Sequence, residues 1–215
     1  MNFLLESYAQ QQTLLPTQGR HIVAYRDADS GDVVVYQAFN ADIARYAVAN
    51  QRFGGPHYSF SRMTWIKPNF MWMMYRAGWA TKPQQERILA ISMLWDGWLS
   101  LLGQAVFSSY QPDRYANQEE WRADLARYEV RLQWDPDHDP AGQPLSRRAI
   151  QLGMKGEVQR QFNEAWITGV TDITPFVHTR HAHALHQPHR LEAPVERVLD
   201  MSAYPHIIAR LGLDT

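Results

Sequence analysis

Residues 62–87 read RMTWIKPNFMWMMYRAGWATKPQQER. The run holds three of the eight tryptophans, five basic residues and a single acid, Glu86. Its opening, residues 63–66, is β-prone. Pro68 suits the first turn of a helix, where a missing N–H costs nothing. Gly78 suits a helix end, and Pro83 prevents a restart. The stretch therefore predicts a strand, a junction at Lys67, and a helix over residues 68–78. At about 100° per residue the helix sorts into two arcs. Phe70, Met73, Met74 and Ala77 form an apolar stripe. Trp72, Tyr75, Arg76 and Trp79 form a second arc of flat rings around a guanidinium. Lys67 sits beside backbone N–H groups that favour an anion. Such a helix suits the wall of a pocket for a flat, anionic ligand, and nucleotides are the obvious class. The competing reading is a packed cation–π cluster with no ligand.

Working outward, residues 33–39 (VVVYQAF) and 20–25 (RHIVAY) read as strands. The turn-rich link 26–32 makes them a hairpin candidate. Asn40 caps a helix over 41–53. After the central run, residues 87–93 (RILAISM) read as a strand, and 98–109 is ambiguous between helix and strand. Residues 118–128 predict an amphipathic helix with acids early and arginines late. Residues 130–134 predict a strand, 135–140 (DPDHDP) a rigid acidic turn, and 146–152 a strand or linker. A helix over 155–166 and a strand within 168–174 follow. Strands and helices in this order, with a hairpin, favour an α+β fold: one domain with a mixed or antiparallel sheet flanked by helices. Residues 1–19 read as a lead-in, 20–178 as the core domain, and 179–215 as a C-terminal helical appendage.

The chain has 215 residues, 45% hydrophobic and 20% charged, with a net charge of −1. Nothing in that balance recruits nucleic acid or a membrane globally. A local basic site in a neutral protein suits a small anion better than a long polyanion. The absence of cysteine excludes disulfides, thiolate metal sites and a Cys nucleophile. No apolar run approaches the roughly 18 residues that span a bilayer. The first residues lack the features of a signal peptide, so a cytoplasmic location without membrane contact is the expectation. No glycine-rich phosphate loop and no GxSxG elbow occurs, which argues against Rossmann, P-loop and Ser-His-Asp chemistry.

Four segments carry a family resemblance: 33–39, 62–86, 133–136 (QWDP) and 148–153 (RAIQLG). Over residues 20–178 the chain resembles the uncharacterised family numbered 4291 among domains of unknown function, which implies no activity. A second resemblance, of layout, is to the ADP-ribosyltransferase superfamily: a first strand and helix, a strand with Ser or Thr, a helix, another strand, and a late strand with Glu or Gln. Here the matching positions are Gln37 or Tyr36, Thr64 and Gln151. Two departures stand out: the first position lacks Arg or His, and no late Glu falls in the apolar run, since Glu157 is displaced from it. That resemblance implies NAD as cofactor, with Gln37, Thr64, Gln151 and Glu86 as catalytic candidates.

The transferase reading needs phosphates held, a ring stacked and a ribosyl cation stabilised. Arg62, Lys67, Arg76 and Lys82 are candidates for phosphates. Trp65, Trp72, Tyr75 and Trp79 are candidates for stacking, and Glu86 or Asp135 for facing the cation. The acceptor, nucleic acid or protein, stays open. The alternative is a non-catalytic module for nucleotides or single strands, for which interleaved aromatic and basic residues are the usual recipe. No metal is expected. The acids at 135–139 read as a solvated turn. The histidines at 178, 181, 183, 186 and 189 lack the Cys or Glu partners of a zinc site.

Overall fold

The computed structural model describes residues 3–214. Two sheets and one short ribbon form the frame. The first sheet is antiparallel throughout and built on β4 (Val33–Phe39) and β6 (Arg87–Met93), which pair along their whole length. β10 (Ile167–Asp172) lies beyond β6, and β3 (Val23–Arg26) and β12 (Arg197–Val198) lie beyond β4. The expected hairpin is β3–β4, with Tyr25 opposite Val34. The second sheet is mixed and centred on β9 (Pro144–Met154). β8 (Val130–His138) runs antiparallel along one side of β9, and β7 (Ala105–Phe107) pairs parallel with β8. The other side of β9 takes β2 (Gly19–Arg20) near its start and β5 (Thr64–Ile66) at its end. The ribbon pairs β1 (Leu5–Ser7) with β11 (Glu192–Pro194). The fold is a single α+β domain with a mixed and an antiparallel sheet, as the sequence implies.

Strand β4 explains the layering. Its continuous apolar run is the signature of a strand covered on both faces. Val33 and Val35 face a core shared with Leu132, Ile150, Leu152 and Met154 of the second sheet. Val34 and Tyr36 face a second core with Phe70, Met74 and Ala77. Those residues come from α3 (Phe70–Ala77), and Val177 joins them from α7 (Thr174–His186). α1 (Tyr8–Leu14) and α2 (Ala41–Asn50) precede α3; α4 (Trp95–Gln104), α5 (Gln118–Arg127) and α6 (Gly156–Gln161) lie between α3 and α7; and α8 (Pro205–Leu211) ends the order. No helix among the described residues is long and apolar enough to cross a membrane.

Several expectations are revised. The helix of the central run starts at Phe70, not Pro68, because Asn69 caps it by accepting a hydrogen bond from the Trp72 N–H at 2.7 Å. The ambiguous stretch 98–109 splits into the end of α4 and strand β7. Residues 135–138 are strand rather than turn: β8 runs on to His138, and the turn falls at Asp139, whose N–H and C=O bond Gln143 and Gly142. That extension buries Asp137, which the Arg147 guanidinium neutralises across the ladder at 2.6 Å. Residues 162–166 close α6 as a π-helical turn. Residues 179–215, expected as an appendage, supply β11, β12 and α8, and Ile207 and Leu211 enter the inter-sheet core.

Candidate functional site

The junction of the two sheets sets the site. Lys67 follows β5 directly, and its backbone exchanges two hydrogen bonds with Tyr36 of β4, at 2.7 and 3.2 Å. This bridge stitches the edge of the second sheet to the middle of the first. A cavity of about 590 Å³ opens beside it. Its walls are the end of β4 (Gln37, Phe39), the cap of α2 (Asn40), β5 with the preceding loop (His57, Tyr58, Arg62, Thr64, Trp65), Lys67, and α3 (Met73, Arg76). Its size falls in the range that holds a cofactor-sized molecule.

Electrostatics distinguish this cavity. Arg62, Lys67 and Arg76 line it, and no Asp or Glu does among the described residues. Arg62 and Arg76 are exposed, whereas Lys67 is 7% exposed. The Lys67 amine has neither an ion pair nor a hydrogen bond among the described residues. Burial pushes it down to about 8, the Arg76 charge pushes the same way, and Asp135 opposes both. A second unmet group lies close by. The Gln37 amide donates to Thr64 Oγ1 at 2.7 Å and to the Trp65 carbonyl at 3.0 Å. Its carbonyl Oε1 is buried without a partner. A buried acceptor left unmet costs about 1–3 kcal/mol. The wall of one cavity thus includes a residue with an unpaired cation and a residue with an unmet acceptor.

The backbone after α3 sets where Lys82 goes. Gly78, Trp79 and Ala80 all adopt left-handed backbone, with φ of 57°, 56° and 67°. This turns the chain back so that Lys82 Nζ donates to the Arg76 carbonyl at 2.7 Å. Lys82 therefore satisfies the helix C-terminus and does not line the cavity. Glu86 lies in the same turn, exposed, accepting from the Gln84 N–H at 2.9 Å. It too lies outside the cavity wall.

The four rings expected to stack a ligand divide. Trp65 lines the cavity. Trp72 is buried at 4% exposure, stacked on His138 of β8 with ring centres 5.3 Å apart. Tyr75 covers the same imidazole at 3.5 Å. Trp79 is buried and lies parallel to His181 of α7 at 5.0 Å. These three rings pack α3 onto its neighbours and do not face the cavity. Gln37 and Thr64 come together in a hydrogen bond. Gln151 does not join them: its amide donates to Asp135 at 2.8 Å and Gln133 at 2.7 Å. It acts on the site at one remove, by holding the carboxylate whose field reaches Lys67.

Reading the residue types left out His57, Tyr58 and Asn40. Tyr58 stacks on Phe53 at 5.0 Å and accepts from Gln159 Nε2 at 3.0 Å. Burial pushes its hydroxyl up, against hydrogen bonds from Thr64 and Gln159. A signal was present in residues 58–62 (YSFSR), where ring, ring and guanidinium alternate just before β5.

Phosphates would meet Arg62, Lys67 and Arg76 here, and a flat ring would meet Trp65. A sequence comparison with curated proteins gives no match. The model of the family described as Domain of unknown function (DUF4291) matches residues 21–199, which takes in the whole antiparallel sheet and all of the mixed sheet except β2, and extends through β12. The chain belongs to that family.

Proposed function

We propose that the cavity binds a nucleotide-type anion, with NAD the ligand to test first, and that the chain is an ADP-ribosyltransferase-like enzyme acting on it. The observation that carries the reading is the buried, unpaired Lys67 amine facing an acid-free cavity with Arg62 and Arg76. An uncompensated buried cation is stable only at a cost, and an anion arriving from solution offsets that cost. The unmet Gln37 carbonyl offers an acceptor for a ligand donor, such as a ribose hydroxyl or a carboxamide. Thr64, held by the Gln37 amide, supports the layout resemblance at two of its three positions.

One observation favours a second reading, a binding module without chemistry. Neither Glu86 nor Asp135 lines the cavity, so among the described residues no carboxylate there faces a ribosyl cation. Calorimetry with NAD and ADP-ribose, beside an assay for released nicotinamide, separates the two. The transferase reading expects binding and nicotinamide release. Binding without release leaves the module. No binding at millimolar ligand by a folded chain removes both. Arg62→Ala and Arg76→Ala should each weaken binding about tenfold, the scale of one charge-assisted hydrogen bond.

A further inference from the structure

The chain is sparing with lysine. Only three of its 21 Lys and Arg residues are lysine: Lys67, Lys82 and Lys155. Arginine carries nearly all the positive charge, so a lysine in the cavity wall is a departure from the chain's own habit. Arginine would serve a phosphate as well or better, with its planar fork of donors. What lysine alone offers is an amine that can lose its proton and become a nucleophile. The position is also held in place. Backbone hydrogen bonds to Tyr36 fix Lys67 on one side, and Pro68 fixes φ on the other. The other two lysines have different settings: Lys82 caps α3 through the Arg76 carbonyl, and Lys155 is exposed at the start of α6.

We infer that Lys67 is a covalent capture site, its amine forming an imine with a phosphate-bearing aldehyde that Arg62 and Arg76 draw into the cavity. The inference deepens the nucleotide reading and rests on it for the ligand class: a phosphorylated sugar in its open-chain aldehyde form. The step balances without a redox partner. The neutral amine attacks the carbonyl carbon, a C–N bond forms, and the C=O electron pair moves to oxygen, which takes up a proton. The resulting carbinolamine loses one water, its nitrogen giving up a proton, and a C=N bond remains. Groups facing the amine set its state: burial and Arg76 favour the neutral form, and Asp135, held by Gln151, favours the ammonium. At pH 7.5 about a quarter of the Lys67 amines are neutral, against about one in a thousand for a lysine at the ordinary 10.5.

Few amines make the test simple. The full chain is incubated with pyridoxal 5′-phosphate, reduced with borohydride, and mapped by peptide mass spectrometry, with uncharged pyridoxal in parallel. The expected result is one reduced adduct on Lys67, formed at least tenfold faster than at Lys82 or Lys155 and slower with pyridoxal. Lys67→Arg should lose that adduct while melting like the wild-type chain. Equal labelling of the three lysines, an unlabelled Lys67 in a folded chain, or pyridoxal reacting as fast as its phosphate overturns the inference. Calorimetry with NAD keeps the two proposals apart. NAD binding with no Lys67 adduct sinks the capture site alone. A selective adduct without NAD binding sinks the nucleotide reading and leaves the capture of a phosphate-bearing aldehyde.

Discussion

Replacing Lys67 by methionine should make the protein more stable. In the unfolded chain this amine titrates near 10.5; in the fold it titrates at about 8. The gap corresponds to about 3 kcal/mol, at 1.36 kcal/mol per pKa unit. The sign follows from proton counting. Between pH 8 and 10.5 the unfolded chain binds more protons than the fold, so stability rises with pH across that window. Below pH 8 both states are charged and the whole penalty for holding a buried ammonium beside Arg76 is present. Methionine keeps the apolar stem and removes the charge. Lys67→Met should therefore raise Tm by about 6–12 °C at pH 7, since 1 kcal/mol moves a chain of this size by about 2–4 °C. The gain should shrink as pH rises from 8 and vanish above 10.5. Thermal melts of both proteins from pH 6 to 10.5 test this, because other titrations cancel in the difference. The reasoning is refuted if the variant melts at or below the wild-type at pH 7, or if the difference does not depend on pH. Added inorganic phosphate should narrow the gap from the other side, by stabilising the chain that keeps the lysine more than the variant.

Three further perturbations probe what supports the site. Glu196 is buried and accepts from the Phe70 N–H at 2.7 Å; burial holds its carboxyl well above the ordinary 4.5. The fold then binds more protons than the unfolded chain above pH 4.5, so this group's contribution is full at low pH and lost as pH rises. Glu196→Gln should match the wild-type at pH 4.5 and exceed it progressively towards pH 8 in urea denaturation. Arg147→Met or Asp137→Asn, each leaving one buried charge uncompensated, should cost about 3–5 kcal/mol, and the Met/Leu double variant less than either. At Gly153 an added Cβ would lie 2.7 Å from Met63 Sδ and 2.8 Å from the Trp65 ring. Gly153→Ala should cost about 1–3 kcal/mol and push Trp65 off the cavity wall, seen as a shift in tryptophan fluorescence and weaker ligand binding.

Local chemistry made most elements legible. The runs VVVYQAF and RILAISM coincide with β4 and β6, and Asn40 caps α2 as expected. The failures share a cause: each depended on a partner distant in sequence. An Asp-Pro-Asp run reads as a turn until Arg147 is known to neutralise Asp137. Periodicity gives the angle at which Trp72 leaves its helix, but not that His138 of β8 waits there. Trp79 failed for another reason. The helical wheel does not extend to it, because the chain has already turned left-handed at Gly78. The pairings of β11 with β1 and β12 with β3 span most of the chain, and no local pattern announces them.

The site followed the same division. Arg62, Trp65, Lys67 and Arg76, named from residue type, and Gln37 and Thr64, named from the layout resemblance, reach one cavity; Trp72, Tyr75, Trp79, Lys82, Glu86 and Gln151 do not line it. Those six are accounted for by packing, helix termination, a turn or a sheet ladder. Packing does not account for the other pair. An apolar side chain at 67 would satisfy the Tyr36 bridge equally well, because that bridge uses backbone atoms alone. A leucine at 37 would remove an unmet carbonyl from the inter-sheet face of β4. The unpaired Lys67 amine and the unmet Gln37 carbonyl, 30 residues apart in sequence, both lie where the sheets meet. The Lys67 ammonium costs the fold stability and the Gln37 carbonyl goes unmet; one ligand with an anionic group and a donor would satisfy both. Gln37→Leu, which also gives up the hydrogen bonds to Thr64 and Trp65, should cost stability, whereas Lys67→Met alone should give a chain more stable than the wild-type and a weaker binder, the combination that a purely structural role for the lysine does not allow.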